Sequence, residues 1–135
     1  MAISKARKQE LVEQYTGLVE QSSALFVTEY AGLAVKQFEA LRQKVRESEG
    51  AIHVTKNTLL QIALNANDKP VDAELYTGQL ATGFALGEAP TLAKALVDFA
   101  KDEENLEIKF GILGYDVLTA EQIEALADLP TLDQL

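Results

Sequence analysis

The sequence contains no cysteine and only one histidine, His53. The absence of cysteine excludes disulfide bonds and thiol catalysis within these residues. With one imidazole and no thiolate, the donors that zinc prefers are almost missing. We therefore expect no metal site and no bound cofactor.

Long apolar runs are also missing from the sequence. No stretch reaches the roughly 18–20 consecutive apolar residues of a membrane-spanning helix. The N-terminal segment MAISKARKQE is charged, but the apolar region of a signal peptide does not follow it. We therefore expect a soluble intracellular protein that does not enter a membrane.

Charge is distributed unevenly along the chain, which carries a net charge of −9 at pH 7. Residues 1–60 contain eight basic and seven acidic residues, a net charge of +1, whereas residues 61–135 contain four basic and fourteen acidic residues, a net charge of −10. A strongly acidic composition argues against binding to nucleic acid. The asymmetry nevertheless allows a basic surface at one end of the molecule, and scattered surface charge is the alternative interpretation.

Apolar periodicity predicts a single α/β domain, α+β-like in layout, over residues 1–135. A stripe that includes Leu11, Tyr15 and Leu18 predicts a first helix over residues 5–21, with Ser4 as its N-cap. Strands are predicted near residues 24–28, 52–55, 80–86 and 106–112. Further helices are predicted from the stripes Phe38, Leu41 and Val45; Thr58 onward; Leu92, Leu96 and Phe99; and Ile123 and Leu126.

The order strand, helix, strand between residues 24 and 55 predicts a βαβ unit with parallel strands. We expect a small sheet of about four strands, flanked by about five helices. Gly32 is expected to adopt positive φ in a turn over residues 29–32, and Gly50 is expected to end the second helix. The segment TLDQ at residues 131–134 has the form of a capping box. We therefore expect a further helix to begin within residues 131–135, and the chain to be the front part of a longer protein.

The first turn of the first helix contains only basic charged residues. A helix N-terminus carries about half a positive charge on its free N–H groups, so each cation there costs roughly 0.3–1 kcal/mol. A bound phosphate would reverse the sign of that electrostatic contribution. The alternative is a frayed helix end in water. The residues concerned are Lys5, Arg7 and Lys8.

The segment VTKNTLL at residues 54–60 poses the same conflict at the start of the third helix. We expect Asn57 to be the N-cap, Thr58 to be the first helical residue, and Lys56 to lie one residue outside, beside the free N–H groups. No glycine precedes Lys56 at the spacing of a nucleotide-triphosphate loop. Isolated contacts to a phosphodiester backbone need no such loop. The alternative is an ordinary capped helix with a solvated lysine.

Two arginines on the second helix, Arg42 and Arg46, lie one turn apart beside its apolar stripe. Their planar guanidinium groups suit phosphate, but Glu39 is close enough in sequence to pair with either of them, and a salt-bridged surface is the alternative. His53 alternates with Ile52 and Val54 on a strand. We interpret it as a buried, hydrogen-bonded histidine rather than a catalytic one.

Taken together, these residues resemble the bacterial ribosomal protein family that forms the base of the large-subunit stalk, protein ten of the large subunit. The resemblance extends through the whole sequence and depends on the order and spacing of several segments. These are the basic first helix, EYAGL at residues 29–33 followed by Val35, LR at residues 41–42 with Arg46, VTKNTL at residues 54–59 with Ala63, and LADLP at residues 126–130.

The resemblance implies a cytoplasmic, non-enzymatic ribosomal protein whose N-terminal α/β domain binds large-subunit rRNA near the GTPase-associated centre, beside a neighbouring ribosomal protein. In the family, a C-terminal helix carries dimers of acidic stalk proteins that recruit translation factors, and some members repress translation of their own mRNA. That helix would follow the present sequence, so we expect rRNA binding without stalk-dimer binding. Transferred by position, the RNA-binding residues would be Lys5, Arg7 and Lys8; Lys56, Asn57 and Thr58; and, as weaker candidates, Arg42 and Arg46.

Two other classes of function remain as alternatives. The acidic second half is compatible with a protein–protein interaction module that does not bind RNA. An enzyme would need a catalytic constellation that the single histidine and the dispersed carboxylates do not offer.

Overall fold

The computed structural model describes residues 4–71 and 73–128. The described residues form one five-stranded sheet with helices packed on both of its faces. The helices are α1 (Lys5–Gln21), α2 (Val35–Glu47), α3 (Asn57–Ala66), α4 (Ala89–Asp102) and α5 (Ala120–Ala127), with a short 3-10 turn at Ala73–Leu75. The strands are β1 (Ala24–Tyr30), β2 (Gly50–Thr55), β3 (Leu80–Ala85), β4 (Leu106–Leu113) and β5 (Asp116–Thr119).

The strand order is β2-β3-β1-β4-β5, and every neighbouring pair is antiparallel. β1 and β2 run in the same direction, as the predicted βαβ unit requires, but they are not neighbours because β3 lies between them. The α/β class is confirmed, and the sheet has one strand more than predicted. The additional strand is β5, which has only four residues, none of them buried.

β3 is an interior strand and fully buried, even though it contains Gly83. A Cβ atom at Gly83 would lie 3.3 Å from Leu96 Cδ1 of α4. The glycine therefore lets α4 pack closely on the middle of the sheet.

One face of the sheet is covered by α2, α4 and α5, and the other by α1 and α3. Each fully buried leucine or phenylalanine side chain stabilises the fold by about 1.5–3 kcal/mol relative to exposure. The largest buried side chains on the α2/α4/α5 side include Phe26, Leu41, Leu92, Leu96 and Ile123. Those on the α1/α3 side include Val19, Leu25, Leu60, Leu64 and Phe84.

Two predicted chain reversals differ in detail. β1 continues to Tyr30, so residues 29 and 30 belong to the strand, and the turn that follows contains Gly32 with φ of 70°. The left-handed residue after α2 is Glu49, with φ of 58°, and Gly50 already belongs to β2. Gly50 is needed for packing, since its Cβ atom would lie 3.0 Å from the carbonyl oxygen of Phe84. The further helix predicted within residues 131–135 lies outside the described residues.

Candidate nucleic-acid interface

The first turn of α1 lies in solvent. Ser4 is the N-cap, as predicted, and its hydroxyl accepts a hydrogen bond from the backbone N–H of Arg7 over 3.1 Å. Residues 4–10 are all exposed, and the helix first becomes partly buried at Leu11. Arg7 forms an exposed ion pair with Glu10 at 3.2 Å, whereas Lys5 and Lys8 form no ion pair with the described residues. The two lysines are therefore cations that an external anion can reach.

The start of α3 differs from the prediction by one residue. The N-cap is Lys56, Asn57 is the first helical residue, and Thr58 is the second. Asn57 does not cap the helix; its side-chain NH2 group instead donates to the carbonyl oxygens of Tyr76 at 2.9 Å and Gly78 at 3.2 Å, and these bonds fix the orientation of the side chain. These loop carbonyls need donors, and satisfying them takes precedence over the local capping preference of asparagine.

As a result, α3 begins without a side-chain cap. The N–H groups of its first turn have no acceptor within the helix, and the first turn contains no acidic residue. Lys56 is exposed, and it forms no ion pair with any part of the chain that the structure describes. Positive charge therefore accumulates here without an internal counterion.

A cleft of about 390 Å³ opens beside this helix start, and we call it the Lys56 cleft. It lies where β1 and β2 end and β3 begins. Its lining contains one cation and no carboxylate among the described residues. The lining residues are Tyr30, Val54, Thr55, Lys56, Asn57, Thr58, Gly78, Gln79 and Leu80.

A tyrosine of α1 connects the two predicted groups of RNA-binding residues. The hydroxyl of Tyr15 donates to the carbonyl oxygen of Val54 over 3.5 Å and accepts from the N–H of Lys56 over 3.4 Å. Lys8 lies seven residues before Tyr15 on the same helix, about 10 Å along its axis. The buried side chain of Tyr15 therefore fixes α1 against the start of α3, and the first turn of α1 lies about two helical turns before this contact.

The two arginines of α2 occupy different surroundings. Arg42 stacks its guanidinium group over the ring of Phe38, 5.4 Å from the ring centroid, and its buried Nε atom has no hydrogen-bond partner among the described residues. Phe38 in turn packs edge to face on Tyr30, with ring centroids 5.9 Å apart. Arg42 is thus linked to the wall of the Lys56 cleft.

Arg46 lies in the last turn of α2, close to the start of β2. Lys56 follows the end of β2, and the length of that strand is roughly 17 Å. The structure therefore does not bring Arg46 into the Lys56 cleft. Glu39 forms no ion pair within 4.0 Å with either arginine, so the salt-bridged surface considered from the sequence is not formed.

His53 is partly buried and packs near Phe84, with ring centroids 6.1 Å apart. Burial, and secondarily the positive charge of Arg42, hold the pKa of His53 below its ordinary value of 6.5. The imidazole is therefore mostly neutral at pH 7, and it does not add positive charge to this edge of the sheet.

The sequence alone did not identify three parts of the Lys56 cleft. The sequence predicts a turn at Tyr30 and only a strand at Val54, and residues 78–80 belong to a segment more than 20 residues further along the chain. The exposure of Val54, at 48%, is the feature that distinguishes it from a core residue. No signal within the sequence reports that exposure, because it depends on how α2 packs over the sheet.

Other kinds of site find no support in residues 4–71 and 73–128. These residues contain no group of three or more histidine, cysteine or acidic residues placed to hold a metal ion. None of the helices in this part of the chain combines the length and apolarity needed to cross a membrane.

Comparison with known proteins gives a consistent result. A family model described as ribosomal protein L10 matches residues 3–101. The large ribosomal subunit protein uL10 of Brucella suis is 38% identical over 133 residues, which cover 98% of this chain and 77% of that protein. The proteins of the same name from Brucella canis and Brucella abortus are 37% identical over the same shares. The chain therefore belongs to the ribosomal protein L10 family.

Proposed function

We propose that this chain is a structural, non-enzymatic protein of the large ribosomal subunit and that it binds rRNA at the base of the stalk. Membership of the ribosomal protein L10 family supports the ribosomal role. The observation that carries RNA binding is the uncapped start of α3, where exposed Lys56 borders a cleft without carboxylates. A phosphate placed there accepts hydrogen bonds from backbone N–H groups and pairs with the lysine.

The proposed contacts form two groups of unequal strength. Lys5 and Lys8 on α1, and Lys56 with the Thr58 hydroxyl on α3, are exposed and free to bind phosphate. Arg7 must first leave its exposed pair with Glu10, which costs little because such pairs contribute about 0–1 kcal/mol. Asn57 acts indirectly, since its amide is used to hold the loop that forms one side of the cleft.

Arg42 and Arg46 are secondary candidates in this proposal. Arg42 is held against Phe38, so its contribution is to position the aromatic wall of the cleft. Arg46 is exposed but lies away from the cleft, and it would contact RNA only if the RNA extends along the edge formed by β2.

The charge asymmetry limits the size of the RNA surface. Residues 88–128, which form α4, β4, β5 and α5, contain ten acidic residues and three lysines. This region repels a polyanion, so we expect it to face away from RNA. The remaining basic surface is small, and about three to five phosphate contacts give a modest salt dependence of roughly 0.9 per contact on duplex regions.

The further roles of the family belong to the same proposal. A C-terminal helix beyond residue 135 would carry the dimers of acidic stalk proteins, and without it those dimers would not bind. A neighbouring ribosomal protein would share the rRNA site, and the chain would be located on ribosomes in the cytoplasm. Repression of its own mRNA would use the same basic surface. The rRNA and the mRNA would then compete for one site.

Charge reversal tests the RNA-binding part of the proposal. Lys8→Glu and Lys56→Glu should each weaken binding to the stalk-base rRNA fragment in a gel-shift assay. The expected loss is roughly 10- to 100-fold, the size of a charge-assisted contact of about 1.5–3 kcal/mol. Lys94→Glu on α4 is the matched control, since Lys94 is also exposed but belongs to the acidic side. Unchanged affinity in both test variants would refute the proposal.

A second candidate function uses the acidic region itself. A groove of about 320 Å³ lies between α4, β4 and α5, and its charged lining residues are Lys101, Glu107 and Glu124. A basic segment of another protein would complement the net negative charge around it. Co-purification distinguishes the two functions: RNA in the native complex favours the first, and a protein partner without RNA favours the second.

A further inference from the structure

The Lys56 cleft has an apolar side that phosphate contacts leave unused. We propose that it holds a single unpaired nucleotide of the bound RNA, whose base stacks on Tyr30 and packs over Val54 while its phosphate lies beside Lys56. This inference rests on the proposed function, because it concerns how the same surface binds RNA. It adds base recognition to an interface otherwise composed of backbone contacts.

The apolar side is formed by neighbouring strands on one face of the sheet. Thr28 of β1 pairs with Ala81 of β3, which pairs with Val54 of β2. The side chains of Tyr30 and Val54 therefore project from the same face, on either side of the small Ala81 side chain. Val54 is 48% exposed, although it belongs to a strand whose next inward-facing neighbour, Ile52, is buried. Aliphatic surface is left uncovered at the place where a base would pack.

Tyr30 is held in place before any ligand binds. Its ring packs edge to face on Phe38, with an interplanar angle of 68°, and the guanidinium group of Arg42 stacks on Phe38. This row of three side chains restricts the rotation of Tyr30, so little conformational entropy is lost when a base stacks on it. Stacking of a base on an aromatic side chain contributes about 1–3 kcal/mol and tolerates any base.

Charge determines on which side of Tyr30 the RNA can lie. The Lys56 cleft contains one cation and no carboxylate. On the other side, Tyr30 borders a smaller depression of about 110 Å³ that contains Glu29, Glu104 and Glu107. Lys109 neutralises these three carboxylates only in part, through its contacts with Glu29 at 3.2 Å and Glu107 at 3.9 Å. A polyanion is therefore directed to the Lys56 side, where the exposed side-chain amide of Gln79 can also hydrogen-bond the edge of a base.

Only an unpaired nucleotide satisfies both sides of the cleft. In an RNA duplex the faces of each base are covered by its neighbours, so no face is available to Tyr30. A base that has left the stack exposes both faces and remains joined to its phosphate. The cleft volume of about 390 Å³ falls in the range of small-ligand sites, which is about 300–1,000 Å³.

Ultraviolet crosslinking of the wild-type protein to the stalk-base rRNA fragment tests this arrangement, with crosslinked peptides identified by mass spectrometry. A crosslink between Tyr30 and one nucleotide of an unpaired region is expected. Tyr115 is the control, because it is 69% exposed but lies on the turn between β4 and β5, away from the cleft. Crosslinks at Tyr115 without any at Tyr30, or crosslinks at neither residue despite binding, would overturn the inference.

Substitutions provide an independent measurement. Tyr30→Leu keeps an apolar contact with Phe38 but cannot stack, and it should weaken RNA binding roughly 5- to 100-fold without changing the salt dependence. Val54→Gln should also weaken RNA binding, and because Val54 is exposed, the substitution leaves core packing intact. Val117→Gln, at a comparably exposed valine of β5, is the control and should leave RNA binding unchanged. Wild-type affinity in Tyr30→Leu and Val54→Gln, with loss in Lys56→Glu, would contradict the nucleotide site and leave the proposed function standing. Failure of the wild-type protein to bind the RNA would contradict both.

Discussion

The hydroxyl of Tyr15 accepts a hydrogen bond from the backbone N–H of Lys56 over 3.4 Å. The same hydroxyl donates to the carbonyl oxygen of Val54, so it bonds the two groups that flank Thr55 on the outer edge of β2. If a parallel strand paired with this edge of β2, one of its residues would bond the same N–H and C=O groups. The side chain of α1 thus completes the sheet edge and fixes the backbone that starts α3.

Replacement of Tyr15 by phenylalanine should lower the free energy of unfolding by about 0.5–1.5 kcal/mol, the usual contribution of a hydrogen bond. The ring is buried and remains in place, so the loss comes from the two backbone groups that lose their partner. Urea denaturation measures the change. Tyr115→Phe is the control, because Tyr115 is exposed and its hydroxyl bonds to none of the described residues.

If Tyr15→Phe had wild-type stability, the hydroxyl would not hold the edge of β2. We also expect this variant to weaken RNA binding less than Lys56→Glu does, because it loosens the start of α3 without removing a charge.

The single histidine provides a direct test of the surroundings of Arg42. Burial and the Arg42 charge both lower the pKa of His53, with burial the larger cause. Arg42→Met retains an apolar contact with Phe38 and removes the charge, so the pKa of His53 should rise towards 6.5 without reaching it. NMR titration of the one imidazole gives this value without an assignment problem. A pKa that does not move would show that the Arg42 charge does not act on His53.

The same shift predicts how stability depends on pH. Because the folded-state pKa of His53 is lower than the unfolded value, the unfolded chain binds the proton more readily. Stability should therefore be complete above pH 6.5 and decline as the pH falls from 6.5 towards the folded-state pKa. His53→Gln retains every carboxylate of the wild type, so any difference between the two proteins comes from the imidazole. The variant should lose less stability than the wild type over this pH interval. Identical pH profiles for the two proteins in urea denaturation would argue against the shift.

Two glycines should respond to alanine in opposite directions. A Cβ atom at Gly111 would lie 2.9 Å from the Leu25 carbonyl oxygen and from Phe26 Cδ1, so Gly111→Ala should destabilise the protein by about 1–3 kcal/mol. Gly17 lies within α1, and nothing lies within 4 Å of its Cβ position. Gly17→Ala should therefore stabilise the protein by about 0.5–1 kcal/mol. Thermal or urea unfolding of both variants measures the pair. The same sign for both would contradict the packing described here.

Features set by neighbouring residues could be predicted from the sequence. Ser4 caps α1 as predicted, and Thr119 and Gln122 form a capping box at the start of α5; each of these contacts spans only three residues. The apolar stripes of the helices likewise identify the faces that are buried.

Features set by distant residues could not be predicted. Asn57 has the capping preference expected of an N-cap, but the carbonyl oxygens of Tyr76 and Gly78, about 20 residues later, take its amide. β5 is short and exposed, and it is a strand only because β4 pairs with it. In the candidate site, the cations were evident from the sequence, whereas the apolar wall depends on how β1, β2 and β3 align.

The central claim is that cations at the starts of α1 and α3 contact RNA phosphates. The salt dependence of RNA binding tests this claim most directly. The affinities of the wild type, Lys56→Gln and the control Lys94→Gln for the stalk-base rRNA fragment should be measured across a range of potassium concentrations. We predict that the slope of log affinity against log salt falls by about 0.7–0.9 in Lys56→Gln and stays unchanged in the control, as expected for the loss of one phosphate contact. A wild-type slope and affinity in Lys56→Gln would contradict the claim.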